Sequence, residues 1–208
     1  MTRPPLAVTL AAGCKLVPDY IRYTLAGRIA RERQSGSGST ACIPPAMATV
    51  RRHNMTLIVA SSAFPNGQRI PQRYSKNGGN ISPPLEWQDA PRNTRSFAVI
   101  VEDPDAPKGT FRHWAVYNVP PAYQGLGEDH GSTQPGAPLE MAMNDFGNRG
   151  YDGPQPPRGH GTHHYHFRLL ALDVPELSLP AGASVRDVLE AAQPHVIAQA
   201  ETVGTFQS

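Results

Sequence analysis

A chain of 208 residues can bury one substantial core, with or without an appendage, but not several independent domains. Its 22 prolines and 19 glycines, with only 7% aromatic residues, suit a loop-rich β protein and argue against a helical bundle or a coiled coil. The formal charge of +2 is unevenly spread: eight Lys/Arg stand against two acids up to His53, and eleven against fifteen beyond it, so the larger part is mildly acidic and has no nucleic-acid footprint.

Residues 1–54 read as an N-terminal extension and residues 55–208 as the domain. Leu6–Ala12 is apolar but too short to span a bilayer. With Arg3 before it and Cys14 after it, it has the outline of a lipoprotein signal. One arginine and a minimal apolar run make that signal weak, which favours the cytoplasm over periplasmic or lipoprotein export. Both cysteines, Cys14 and Cys42, fall in the extension, so the domain has no disulfide framework, as suits a reducing compartment. Ile21, Leu25 and Ile29 predict an amphipathic helix over 19–33, either a marginal surface helix or one that faces a membrane or partner. Residues 34–40 have the composition of a flexible linker. The extension is expected to pack poorly and to add no strand to the core, and Met55 is the favoured start of translation.

From Met55 onward the elements follow one another closely. Thr56–Ala60 predicts an opening strand, and Phe64-Pro-Asn-Gly67 a turn. Ser75–Pro84 is a loop closed by Leu85 and Trp87. Phe97-Ala-Val-Ile-Val101 is a continuous apolar run, the pattern of a buried strand. Asp103-Pro-Asp-Ala-Pro107 then stops the ladder, because each proline lacks an N–H and fixes φ. The chain returns along a strand over Trp114–Val119, which carries His113 back toward that turn. Pro120–Asn144 predicts a long polar loop, His164–Asp173 a central strand, and Ser184–Asp187 a capping-box start to a helix with Val185, Val188, Leu189 and Ala192 inward. Pro194 should kink or divide that helix, and Thr202–Phe206 closes the chain as a short strand. The expected fold is an all-β dominated antiparallel sandwich with a few short helices.

Three kinds of chemistry were weighed for the acids and histidines. A metal site would have to recruit His113 and the acids to the cluster His160, His163, His164 and His166. The period of two puts 164 and 166 on one face of a strand and 163 on the other, and no cysteine or recognised metal spacing lies nearby. Neither a metal nor another cofactor is expected. A hydrolase or isomerase would use Asp103 with His113 or His163 to activate water, without a G-x-S-x-G nucleophile or an identifiable electrophile-stabilising group. A binding pocket needs only donors around an anion, and two imidazoles and a phenol supply them. A carboxylate behind an imidazole would orient the ring and favour its cation, so that the other nitrogen meets the ligand as an N–H.

The sequence DPDAP at 103–107, followed by His113-Trp114 and a strand ending at Asn118, resembles a signature of the phosphatidylethanolamine-binding protein family, in its bacterial Raf-kinase-inhibitor-like branch. Gly79–Trp87, Asn144-Asp-Phe-Gly147 and Tyr151–Pro157 leading to His163–Phe167 resemble further blocks of that family, in the same order. The resemblance implies a β-sandwich with an anion pocket drawn from Asp103, Asp105, Pro107, His113, Pro157, His163 and Tyr165. It implies non-catalytic binding of a phosphorylated or other anionic small group, with a kinase-inhibitor-like regulatory role. A protein partner and a homodimer remain open, as does the rival reading of an interaction module with a vestigial pocket. Asn144–Gly147 and Ser82–Pro84 are read as structural, and Gly159 and Gly161 as room for backbone to approach the ligand. Two departures stand out. Gln155 replaces a cysteine common in that branch, which argues against a redox role. Nothing after Phe206 matches the C-terminal helix of eukaryotic relatives, so the pocket should be more open.

Overall fold

The computed structural model describes residues 56–130 and 139–208. The N-terminal extension, its amphipathic stretch, its linker and both cysteines lie outside the described residues, as does part of the long loop. The apolar run at 97–101 forms the middle of β3 (Ser96–Asp103), in which every residue is buried. A strand covered on both faces has no exposed side to carry polar residues, so its sequence does not alternate.

That strand is the centre of a five-stranded antiparallel sheet, in the order β6 (Glu140–Met141), β4 (Phe111–Val119), β3, β7 (His163–Leu172) and β8 (Val196–Phe206). A smaller antiparallel sheet, β1 (Ile58–Ala60), β2 (Leu85–Gln88) and β5 (Gly125–Leu126), lies against one face. Phe97, Val99 and Val101 of β3 and Tyr165, Phe167 and Leu169 of β7 share a core with Val59, Leu85, Trp87 and Leu126 of the small sheet. Ala98, Ile100, Leu170 and Leu172 point the other way, onto helix α1 (Val185–Ala192) through Val185, Val188 and Ala192. Each large side chain buried in this way contributes about 1.5–3 kcal/mol. The sandwich expected from sequence is therefore two antiparallel sheets over one core, with a helix covering the opposite face of the larger sheet.

The helix begins as its sequence predicts. The Ser184 hydroxyl accepts from the Asp187 N–H while the Asp187 carboxylate accepts from the Ser184 N–H. It ends at Ala192, and Pro194 sits in the 3-10 turn Gln193–His195 that leads directly into β8. The final strand is thus eleven residues long rather than the five expected. Its outward positions carry Gln199, Glu201 and Thr205, and its ladder to β7 runs from Leu172↔Val196 to His163↔Phe206. The long polar segment also differs from expectation, since β5 and β6 both lie within it and extend the small and large sheets respectively.

Candidate functional site

The site is built where β3, β4 and β7 present one end of the large sheet. β3 stops at Asp103, whose Oδ1 accepts from the Asp105 N–H at 2.9 Å. This side-chain-to-backbone bond starts the turn that the two prolines then stiffen. His163 is the first residue of β7, facing inward by the period of two, while His164 and His166 face outward. Its Nδ1 lies 2.7 Å from Asp103 Oδ2, with the two side chains only 2% and 4% exposed. A carboxylate oxygen accepts, so Nδ1 is the donor.

His113, on β4, is fixed from another direction. Its Nδ1 lies 2.8 Å from the backbone carbonyl of Asp152, which can only accept. Burial of the ring pushes the His113 pKa below its ordinary value, against the raising effect of the Asp152 carbonyl and the Asp103 and Asp152 charges. In both rings Nδ1 is committed, and Nε2 is the nitrogen left to the cleft. A neutral imidazole with its proton on Nδ1 presents a bare lone pair at Nε2. The sequence argument that Asp103 makes the other nitrogen point an N–H outward therefore holds only for the imidazolium.

Between the rings and the turn lies an open cleft of about 250 Å³. Pro107 and Phe111 line one part of it, Phe146, Gln155 and Pro157 another, and Lys108 contributes a cation. The Phe111 and Phe146 rings meet edge-on with centroids 4.7 Å apart, and Phe146 packs edge-on against His113 at 5.5 Å. The walls are apolar and the convergent polar atoms few, which suits a small ligand held by directed contacts.

Behind the wall is a buried polar hub. The Asp152 carboxylate accepts from Asn144 and Asn148, both at 2.8 Å, from Asn80 at 3.1 Å, and from the Lys76 ammonium. Burial opposes ionisation, but Lys76 and the three amides hold its carboxyl below the usual range. The same Lys76 ammonium lies 4.1 Å from the centroid of the Phe146 ring. Gly153 makes this junction possible, because a Cβ there would meet the Tyr74 carbonyl oxygen at 2.0 Å. The loop carrying Lys76 and Asn80 can thereby lie against the segment that supplies the Asp152 carbonyl to His113.

Residues 60–207, which contain this strand end, acidic proline turn and returning histidine, match the family model described as phosphatidylethanolamine-binding protein. The chain belongs to the phosphatidylethanolamine-binding protein family. A UPF0098 protein of Aquifex aeolicus is 45% identical over 149 residues, covering 72% of this chain and 87% of that one. A Mycobacterium tuberculosis protein named as a candidate lipoprotein, LppC, is 39% identical over 151 residues, covering 73% and 72%. Among solved structures, Escherichia coli YBCL, described as a new member of the mammalian family, superposes with a TM-score of 0.70 at 32% identity, covering 73% of this chain and 98% of that one.

Of the residues that the resemblance to the phosphatidylethanolamine-binding protein family implies, the structure brings Pro107, His113, Pro157 and His163 to the cleft. Asp103 stands behind His163. Tyr165 is fully buried and stacks edge-on against His113 at 5.2 Å. Burial, and then the nearby Asp103 carboxylate, push the pKa of its hydroxyl up. Asp105 is not brought to the cleft. Its carboxylate accepts from the His164 backbone N–H and Nδ1, both at 2.8 Å, on the outer face.

Phe146, Phe111, Lys76, Lys108 and Asp152 were missed from the sequence. Asn144–Gly147 is structural through Asn144, as expected, but its phenylalanine is also a wall of the cleft. Gly159 and Gly161 have φ of +81° and +84° and do not line the cleft, so they shape turns rather than admit a ligand. No group of residues suited to holding a metal ion occurs among the described residues.

Proposed function

We propose that the cleft binds a phosphorylated or other anionic small group without turning it over, and that the protein acts through occupancy, in a regulatory, kinase-inhibitor-like manner. The observation that carries this is the convergence of two buried imidazoles from separate strands, each tied down at Nδ1 and left with Nε2 to one apolar-walled cleft. Protonated, the two rings offer N–H donors to anion oxygens in surroundings where water competes little. Lys108 adds charge at the turn, and Phe111 and Phe146 give the cleft apolar walls.

Asp103→Asn keeps the shape of the Nδ1 contact but removes the charge that supports the imidazolium. Phosphate affinity, measured by calorimetric titration, is expected to fall about tenfold, since a hydrogen bond to a charged group is worth about 1.5–3 kcal/mol. A variant that keeps its circular dichroism and wild-type affinity removes Asp103 from the site and the proposal with it.

The Asp103–His163 pair also has the geometry of an orienter and a general base, which favours a hydrolase or isomerase as the second reading. The residues lining the cleft include no serine, threonine or cysteine, so such an enzyme would act through water on His163 Nε2. Turnover of a phosphate-monoester panel that disappears in Asp103→Asn selects this reading over binding.

We propose a cytoplasmic location, since a domain without cysteines over 55–208 suits a reducing compartment, and the name of the LppC relative weighs against it. No helix among the described residues is long and apolar enough to cross a membrane. Acylation of Cys14 in cells, followed by radiolabelled palmitate, overturns the cytoplasmic assignment.

A further inference from the structure

A second cleft, of about 530 Å³, adjoins the imidazole cleft and shares Gln155 and Pro157 with it as a common wall. Its charged side chains are Arg69 and Arg158, no aspartate or glutamate side chain lines it, and Ser208, the last residue, also stands on its wall. The Arg69 guanidinium lies over an aromatic ring, and Arg158 stands exposed on a turn. Arg69 is anchored to β8 through flanking backbone bonds, Ile70 N–H to the Thr205 carbonyl and Thr205 N–H to the Gln68 carbonyl, both at 2.8 Å. Its guanidinium carbon lies 5.6 Å from the centroid of the Phe206 ring. Arg158 occupies the tip of a tight turn closed by the His160 N–H on the Pro157 carbonyl at 3.2 Å. Gly159 in that turn supplies the positive φ that the third residue of a type II turn requires.

Among the described residues neither arginine forms an ion pair, which they share with Arg92, Arg95, Arg149 and Arg186, and these two are the ones that line a common cleft. Gln72 and Asn77 add polar side chains to the same walls. The Gln155 amide donates to Asn77 Oδ1 at 2.9 Å, which tethers one of the two residues of the shared wall. Two unpaired planar forks facing a polar cleft are a site for phosphate or carboxylate oxygens, which they match in pairs.

We infer that this arginine cleft is a second anion subsite for the same ligand, so that the protein takes a small molecule carrying two anionic groups. One group sits at His113 and His163, and the other, past the Gln155–Pro157 wall, sits at Arg69 and Arg158. The inference rests on the imidazole cleft being a phosphoryl site. Tethering makes the second contact intramolecular, so the gain depends on a linker that spans the wall.

The test compares α,ω-alkanediol bisphosphates of graded chain length with the alkyl monophosphates of the same length, titrated calorimetrically into the full chain. One length range should bind about tenfold or more tighter than its monophosphate, the scale of one added charge-assisted contact. Arg69→Gln and Arg158→Gln should each remove most of that excess and leave monophosphate affinity unchanged. Arg92→Gln, on an exposed turn elsewhere, should change neither. No excess at any length, or an excess that survives the Arg69→Gln/Arg158→Gln double variant, overturns the second subsite. Monophosphate binding that survives both His113→Gln and His163→Gln overturns instead the reading of the imidazole cleft. Failure of every compound to bind overturns both.

Discussion

Replacing Asp152 by alanine lowers the stability of the domain by about 3 kcal/mol, the low end of the cost of breaking a buried ion pair from one side. The figure is set low because the Lys76 side chain is 23% exposed and its ammonium can recover some solvent, while the Asp152 side chain is only 4% exposed. More than a salt bridge is lost. The amides of Asn144, Asn148 and Asn80 all donate to this carboxylate; the buried Asn144 keeps the His113 and Gly150 carbonyls as acceptors, while the half-buried Asn80 and the exposed Asn148 lose an ordered partner and must turn to water. For a domain of this size the midpoint of thermal unfolding should fall by roughly 6–12 °C. Because its carboxyl is held below the usual range, Asp152 contributes fully above the unfolded-state carboxyl pKa, near 3.9. That contribution is lost as pH falls through the folded-state value. The variant should therefore differ most from the wild type at neutral pH, and the two acid-unfolding curves should converge toward low pH. Scanning calorimetry at pH 7 and again near pH 3 checks both parts. A midpoint unchanged at pH 7 would make the hub a surface network that the fold does not need.

The same hub shows where the sequence was readable. β3 could be read because it is covered on both faces and so appears as an unbroken apolar run. The inward placing of His163 and Tyr165, against His164 and His166 outward, followed from the period of two in a strand. The start of α1 followed from its capping box, and its end from Pro194. β8 is longer than its sequence predicts because half of it is an edge strand with Ala, Gln and Glu at successive positions. Such a stretch gains its stability from the ladder to β7 rather than from its own hydrophobicity. β5 and β6 are two residues each and exist only through partners far along the chain.

At the site, the residues found from sequence are those whose neighbours in the chain betray them: prolines beside acids, histidines at strand ends. Lys76 and Asp152 meet across 76 positions, and neither has a local pattern to mark it. Phe146 lies in a turn whose asparagine is the structural element, so its ring carries no separate signal. Asp105 shares a turn with Asp103, and only the fold shows that one carboxylate faces inward to His163 and the other outward to His164.

Anion affinity should fall steeply as pH rises above neutrality, because binding takes up protons. In the free protein burial holds His113 toward its neutral form, with the proton on Nδ1 against the Asp152 carbonyl. Nε2 then presents a lone pair, which repels an anion oxygen. A dianion seats only when that nitrogen gains a proton, and the bound charge in turn raises the ring's pKa. For each proton taken up, affinity drops about tenfold per pH unit once the ring is neutral in the free protein. The slope counts the protons, and uptake of one at His113 gives a slope of one. Phosphate complicates the acid side, since its second ionisation near 6 lets the monoanion donate its own proton to Nε2. Sulfate carries no dissociable proton in this range and isolates the rings. From about pH 5.5 to 8.5, a range that brackets both ionisations, sulfate affinity should fall throughout, while phosphate should show a shallow maximum before falling. His113→Gln keeps a polar side chain that does not titrate, so it should weaken both ligands and lower the slope by one. His130→Ala, outside the cleft, should leave both curves in place. Affinities for sulfate and phosphate that stay level across that range would show that neither imidazole meets the ligand as an acid, and the cleft would have to bind through Lys108 and its apolar walls instead.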